Sequence, residues 1–186
     1  MIKADMHIHS TVSDGSFTIP ELISRAKENG LDAIVITDHD TLSHSKQLPE
    51  HSGIRVTAGI EISAFDYEKN FRVHILGYNI RDIDLIEKTV RPTLEARQLR
   101  KADGKYIYKQ HIMENLVRRK KADEMFGNFY YSTFKNGGIC AFDIRYISPL
   151  EALKAIKNSG GLAVLAHSGQ QQNFSLIPEL VKNGLD

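Results

Sequence analysis

An α/β fold built largely on parallel strands is what this sequence predicts, and three observations carry the prediction. Short apolar strands alternate with amphipathic helices through most of the chain. The run "LDAIVIT" (31–37) is continuously apolar and rich in β-branched residues, as expected of a strand covered on both faces. Helix-opening signals recur, Thr18 to Glu21 and Ser148 to Glu151, each with a proline in the first turn. Such repeated units close into a barrel or stay open as a doubly wound sheet. No glycine-rich phosphate loop is present, which weakens the nucleotide-binding version of the open sheet.

The elements follow in order. "IKADMHIH" (2–9) is a strand, "TIPELISRAKENG" (18–30) a helix stopped by Gly30, and "LDAIVIT" the second strand. "RVTAGIEIS" (55–63) and "FRVHILGY" (71–78) are two more. The charged turn between them, Asp66 to Asn70, is so short that the second should run antiparallel to the first. From Asp82 to Arg145 the pattern becomes that of a helical insert, polar as far as Gly127, with Pro92 and Gly104 as expected breaks. Its basic run, Arg118 to Lys121, has the composition of a solvated face. The alternation resumes with "SPLEALKAIKNSGG" (148–161), a helix, "LAVLAHS" (162–168), expected as another buried strand, and "FSLIPELVKNG" (174–184), a helix. The closing "GLD" matches the entrance to a strand, so the fold looks truncated at its C-terminal end.

Bulk properties are those of one ordinary domain. The 186 residues are 41% hydrophobic and 25% charged, with a formal net charge of +1, so nothing global draws the chain to nucleic acid or to a membrane. A single cysteine, Cys140, excludes an internal disulfide framework and suits a reducing compartment. The N-terminus has no apolar leader and no stretch has the length of a membrane span. A cytoplasmic enzyme-sized domain is the expectation.

The position of the polar residues is more telling. His7 and His9 close the first strand, Asp38 and His39 the second; Glu61 sits in the third, His74 in the fourth, and His167 ends "VLAH". In barrels of this kind the carboxyl ends of the strands share one rim, where chemistry is built. Side chains alternate along a strand, so His7 and His9 face the same side, and Asp14 can reach in from the following loop. Any one of these residues is as well explained by a core hydrogen bond or a helix cap. The set requires separate strand ends to coincide, and a metal centre explains that. Imidazole and carboxylate ligands without cysteine suit zinc, manganese or iron and disfavour a structural zinc site. His44 and His51 fall in a polar loop and receive no role.

No G-x-S-x-G elbow or Cys/His pair offers a nucleophile. A polynuclear metal site needs none, because bound metals lower the pKa of water from ~15.7 towards ~7 and clamp both oxygens of an in-line displacement. Hydrolysis of a phosphate ester profits most. Glu61 can bridge two ions, and Lys109 and Arg145 are candidates for holding a second phosphate.

The pieces "DMHIHSTVSDGS", "ITDHDT", "GIEIS", "VHILGY" and "SPLEALKAIKNSGGLAVLAH" resemble the PHP superfamily, named for polymerase and histidinol phosphatase domains. Within it they are most similar to the bacterial branch of nucleoside 3',5'-bisphosphate phosphatases and short-RNA 5'-exonucleases. The resemblance implies a distorted (β/α)7 barrel with two to three divalent ions, manganese, iron or zinc. By that resemblance His7, His9 and Glu61 hold the first ion, Glu61, His74 and His167 the second, and Asp14 and His39 the third. Glu61, His39 and Asp14 become the catalytic set, and Lys109, His111 and Arg145 the substrate-phosphate set. Lys109 stands where the branch carries arginine, a point charge for a planar fork. The family's late Asp-x-His motif would lie beyond residue 186. The expected substrate is a small nucleotide or short RNA end. Histidinol phosphate, or a non-catalytic metal-binding scaffold, is the alternative. Open barrel edges would invite self-association.

Overall fold

A computed structural model describes the chain except residues 99–100, 103–104, 107, 136–137 and 142–143, and gives only the backbone of 94–98, 101–102 and 105–106. In chain order the elements are β1 (Ala4–Ile8), α1 (Ile19–Glu28), β2 (Ala33–Ile36), β3 (Arg55–Ala58), β4 (Ile60–Asp66), β5 (Phe71–Tyr78) and α2 (Ile83–Gln98). There follow β6 (Lys101–Ala102), β7 (Lys105–Tyr106), α3 (Lys109–Arg118) and α4 (Asn128–Phe134). The chain closes with α5 (Pro149–Asn158), β8 (Leu162–Leu165), α6 (Ser168–Gln171) and α7 (Ile177–Lys182). Two compact units result, one of Met1–Glu95 with Tyr146–Asp186 and one of Ala96–Arg145. The helical stretch expected from Asp82 therefore begins inside the first unit.

The local signals work as written. Glu21 accepts hydrogen bonds from the backbone N–H of Thr18 at 2.8 Å and from its hydroxyl at 2.7 Å. Glu151 does the same for Ser148 at 2.8 and 2.7 Å. Each satisfies a helix-end donor that has no partner within the helix. Gly30, at φ +67°, ends α1 in the left-handed conformation that glycine adopts without strain. Pro92 does not break the chain; it lies inside α2, where Ile86, Val90 and Thr93 are packed away from water on the same helix. Gly104 lies outside the described residues.

The first unit holds two three-stranded sheets, ordered β1-β2-β3 and β4-β5-β8. The first is parallel throughout. In the second, β5 runs antiparallel to both neighbours, as the short turn after β4 dictates. The α/β class is as expected; the distorted (β/α)7 barrel implied by the resemblance is not shown, since among the described residues the strand pairings do not close a ring. The third predicted strand is divided at Gly59, where β3 pairs with β2 and β4 goes on to pair with β5. A Cβ at Gly59 would sit 2.9 Å from the carbonyl oxygen of Gly77, so the close approach requires glycine. β8 is only half covered, with Leu162 and Val164 exposed, instead of buried on both faces.

Two apolar clusters hold this unit. α1 lays Ile19, Leu22, Ile23 and Ala26 on Ile34 and Ile36 of β2. The larger cluster joins Ile60, Ile62, Val73 and Ile75 to Ile86 and Val90 of α2 and to Leu153 and Ile156 of α5. In the second unit Met113 of α3 packs with Tyr130 and Phe134 of α4. At the chain's end the N–H of Asp186 donates to the Ala163 carbonyl at 2.9 Å, and its carboxylate accepts from the Ala163 N–H at 2.8 Å.

Ile75 is fully buried in the central strand of the second sheet. Replacing it by alanine should destabilise the chain by about 2–5 kcal/mol, read as a lower midpoint in urea with an unchanged slope.

Candidate metal centre

The carboxylate of Glu61 lies at the centre of the polar residues and is only 1% exposed. β4 places it there, and backbone hydrogen bonds fix it on both sides. Its N–H donates to the Asp38 carbonyl at 3.2 Å, and its carbonyl accepts from the Asp40 N–H at 3.0 Å. The loop after β2 is thereby pinned to β4, with His39 and Glu61 paired in a single parallel bridge.

Imidazoles surround both oxygens. Nε2 of His7 lies 3.1 Å from Oε2, Nε2 of His9 2.9 Å and Nε2 of His39 3.5 Å. Nδ1 of His74 lies 2.9 Å and Nε2 of His167 2.8 Å from Oε1. His9 turns its other nitrogen, Nδ1, to Asp14 at 2.9 Å, and His39 Nε2 stands 3.7 Å from the second oxygen of Asp14. All seven residues expected as metal ligands, His7, His9, Asp14, His39, Glu61, His74 and His167, are brought together.

Local structure explains each donor's aim. β1 carries a bulge between Asp5 and Ile8, where three steps on β1 match two on β2, and bulges re-aim the end of a strand. His7 and His9 consequently bring their Nε2 atoms within 3.1 Å of each other. Asp14 is carried by a tight loop in which the N–H groups of Ser13 and Gly15 both donate to the Ser10 carbonyl, at 3.1 and 3.0 Å. A Cβ on Gly15 would fall 2.1 Å from the His9 carbonyl oxygen, so only glycine fits there. His167 follows β8 with φ 28° and ψ 50°, a left-handed backbone that a side-chain-bearing residue adopts only under constraint.

Electrostatics follow from burial and contact. Burial alone would raise the pKa of Glu61, but the contacts with His167, His7, His74 and His9 outweigh it and hold the group far below the carboxylate range. Burial works against a proton on His9, yet Asp14 and Glu61 on its two nitrogens push its pKa up to about 10. Asp14 is lowered to about 2, its burial overcome by His9 and His39. His39 is lowered to about 3 because burial dominates, so it is neutral at pH 7.

The donor set fits divalent ions. Ligand atoms bound at ~2.0–2.2 Å around one ion are spaced by roughly 3 Å, and that is the spacing found here. His7, His9 and Glu61 offer donor atoms within 4.8 Å of one another, as do His9, Asp14 and His39, and His39, Glu61 and His74. His74, His167 and Glu61 form a further triangle with sides of 2.9, 3.3 and 2.8 Å.

Other sequence-derived residues behave differently. Asp38, named with the rim, turns inward and is fully buried. His44 is not in a solvated loop but buried, with Nε2 3.1 Å from the Ile36 carbonyl oxygen and Nδ1 3.3 Å from Asp38. Lys109 and His111 belong to the second unit, where Lys109 Nζ donates to the Phe134 carbonyl at 2.8 Å. His111 Nδ1 accepts from the Tyr108 N–H at 3.3 Å at the start of α3. Arg145 is exposed. Sequence reasoning misses Ser10, Ser13 and Asp40; their signal is adjacency, since each flanks an expected metal ligand in sequence.

Comparison with known proteins places this geometry among related chains. The PHP domain family matches residues 5–142. A phosphoribosyl 1,2-cyclic phosphate 1,2-diphosphodiesterase of Eggerthella lenta is 36% identical over 97% of this chain and 79% of its own length. The 5'-3' exoribonuclease Rnm of Salmonella typhimurium is 31% identical over 89% of this chain, which spans 65% of that enzyme. A solved structure from Bifidobacterium adolescentis, put forward as a metal-dependent phosphoesterase, superposes with a TM-score of 0.83 at 23% identity, covering 100% of this chain and 76% of that one. That likeness establishes the α/β fold. No helix among the described residues is long and apolar enough to cross a membrane.

Because His9 in the metal-free chain keeps a proton up to about pH 10, an ion taking its nitrogens must displace that proton. Zinc or cobalt affinity should therefore rise as pH increases towards that value, and uptake should release protons. Calorimetry in buffers of different ionisation enthalpy checks this; a buffer-independent heat would refute it.

Proposed function

This chain belongs to the PHP domain family, and from that membership and the rim geometry we propose that it is a metal-dependent phosphoesterase acting on phosphate esters of small ribose-containing molecules. The observation that carries the reading is the buried Glu61 carboxylate with imidazoles drawn onto both of its oxygens from separate strands. A hydrogen-bonded core has no use for so many nitrogen donors within reach of one another, whereas a cluster of divalent ions does.

In this proposal two to three manganese, iron or zinc ions would be held by His7, His9 and Glu61, by Glu61, His74 and His167, and by Asp14 and His39. Bound divalent ions supply Lewis acidity, lowering the pKa of water towards ~7 and neutralising charge that develops on phosphate oxygens. The chain's own residues set the stage for that chemistry. Glu61, ionised and inaccessible to solvent, fixes the spacing of the donors on either side of it. His39 is neutral at pH 7 and so has a lone pair to offer. Asp14 remains a carboxylate at any working pH. Through the ions they would hold, these residues orient the reacting phosphate, which converts binding into rate.

Adenosine 3',5'-bisphosphate and short RNA 5' ends are the substrates implied by the sequence resemblance. A second reading has its own support: the Eggerthella lenta relative, 36% identical, is named for opening a ribosyl cyclic phosphate. Phosphate release from the bisphosphate, hydrolysis of RNA 5' ends and opening of a ribose 1,2-cyclic phosphate, each with manganese, should single out one substrate. Activity on it should vanish in Glu61→Gln. No turnover of any of the three by the wild-type chain would overturn the proposal.

Lys109, His111 and Arg145 are proposed, on the resemblance alone, to hold the substrate phosphate. Loss of a hydrogen bond to a charged group should raise KM roughly 10- to 100-fold in Arg145→Ala with kcat little changed. An unaltered KM would remove Arg145 from the set.

A further inference from the structure

Beneath the rim lies a buried polar network that none of the proposed metal ligands accounts for. Asp38 has no exposed surface, and neither do Ser10 and His44; Ser13 is 2% exposed. Asp38 Oδ1 accepts from the Ser10 N–H at 2.8 Å and from the Ser13 hydroxyl at 2.6 Å. Its Oδ2 accepts from the Ser10 hydroxyl at 2.6 Å and contacts His44 Nδ1 at 3.3 Å. Burying a carboxylate is costly unless it is fully hydrogen-bonded, and this one spends its hydrogen bonds on the loop that carries Asp14. Among the described residues it binds no arginine and caps no helix.

The Ser13 hydroxyl has one proton and two carboxylate oxygens in reach, Asp38 Oδ1 at 2.6 Å and Asp14 Oδ1 at 3.4 Å, while His9 Nδ1, itself a donor to Asp14, stands 3.4 Å away. The short contact takes the proton. Asp14 Oδ1 is thereby left to His9 Nδ1 at 2.9 Å, the contact that orients both groups. The Ser10 hydroxyl, after donating to Asp38, accepts from the Val12 N–H at 3.1 Å, so the same carboxylate fixes both ends of the Ser10–Asp14 loop.

We infer that Asp38 is a positioning residue for the Asp14 side of the metal centre, acting through Ser10 and Ser13, with His44 closing the network from behind. The inference rests on the metal reading of the rim, and it is selective. His74 and His167 are held by β5 and by the residues after β8, and neither contacts the network. Removing Asp38 should therefore weaken the Asp14–His9–His39 group and spare the His74–His167 side.

Cobalt(II) titration followed by its visible ligand-field bands tests this, with melting temperature as a check on folding. The chains compared are wild type, Asp14→Ala, Asp38→Ala, Ser13→Ala, His74→Ala and the Asp14→Ala/Asp38→Ala double variant. Asp38→Ala should lose the part of the cobalt spectrum that Asp14→Ala loses, with about 10- to 100-fold weaker binding of that ion, as outer partners of metal ligands typically show. The double variant should lose no more than Asp14→Ala alone, the non-additivity of residues acting as one unit. His74→Ala should lose a different part of the spectrum. Ser13→Ala, which removes one hydroxyl, should show the Asp38 effect in weaker form and covers the case in which Asp38→Ala fails to fold. An unchanged spectrum in both Asp38→Ala and Ser13→Ala, losses that add in the double variant, or a uniform fading of all bands would each overturn the inference. A wild-type chain with no cobalt response would overturn the metal reading itself, and this inference with it.

Discussion

The polar centre of the first unit depends on keeping one carboxylate out of water. An ionised carboxylate isolated in a protein interior costs many kcal/mol, and the usual escape is to take up a proton. Glu61 does not escape that way, because imidazoles on both oxygens hold it ionised in spite of its burial. Those imidazoles arrive from β1, the loop after β2, β5 and the residues after β8. Strand order, the bulge in β1 and the strained backbone at His167 share one consequence: each brings a nitrogen donor within about 3 Å of Glu61.

The two-sheet arrangement is the means. β3 and β4 are one run of chain that changes partners at Gly59, so β4 lies beside the end of β2 on one side and β5 on the other. In that position Glu61 can meet donors from both sheets. The turn after β4 then sends β5 back antiparallel and sets His74 beside Ser63 in the ladder, close enough for its ring to reach Oε1. A strictly parallel sheet would have needed a helical crossover there.

Much of this was legible in the sequence, for identifiable reasons. Helix starts at Thr18 and Ser148 are local chemistry, complete within four residues, and need no knowledge of the rest of the fold. The strand-end histidines were legible because alternation and strand polarity are simple rules. The antiparallel β5 followed from a turn too short to cross over. What is not legible is long-range. Whether strands close into one barrel is decided by pairings that composition does not encode, and half-exposed β8 reads like a buried strand because all its residues are apolar. Pro92 was taken for a break since proline lacks the N–H a helix uses, yet the buried residues around it hold α2 together. His44 looked idle because its neighbours in sequence are polar, whereas its neighbours in space are Ile36 and Asp38.

The segment "TDHD" condenses the logic of the centre. His39 faces the rim, while Asp38 and Asp40 on either side of it turn away, Asp38 to the Ser10–Ser13 loop and Asp40 Oδ1 to the Ser63 N–H at 2.7 Å. His39 is thus bracketed by anchors on either side, and Asp40, at φ 56°, accepts backbone strain to make the turn. Such anchoring matters most where like groups crowd together. Rigid loops keep them crowded, with donor atoms within 4.8 Å of one another in each group, a spacing that fits a coordination shell. Backbone strain at Asp40 and His167 is the local departure from best packing expected where a fold builds a site.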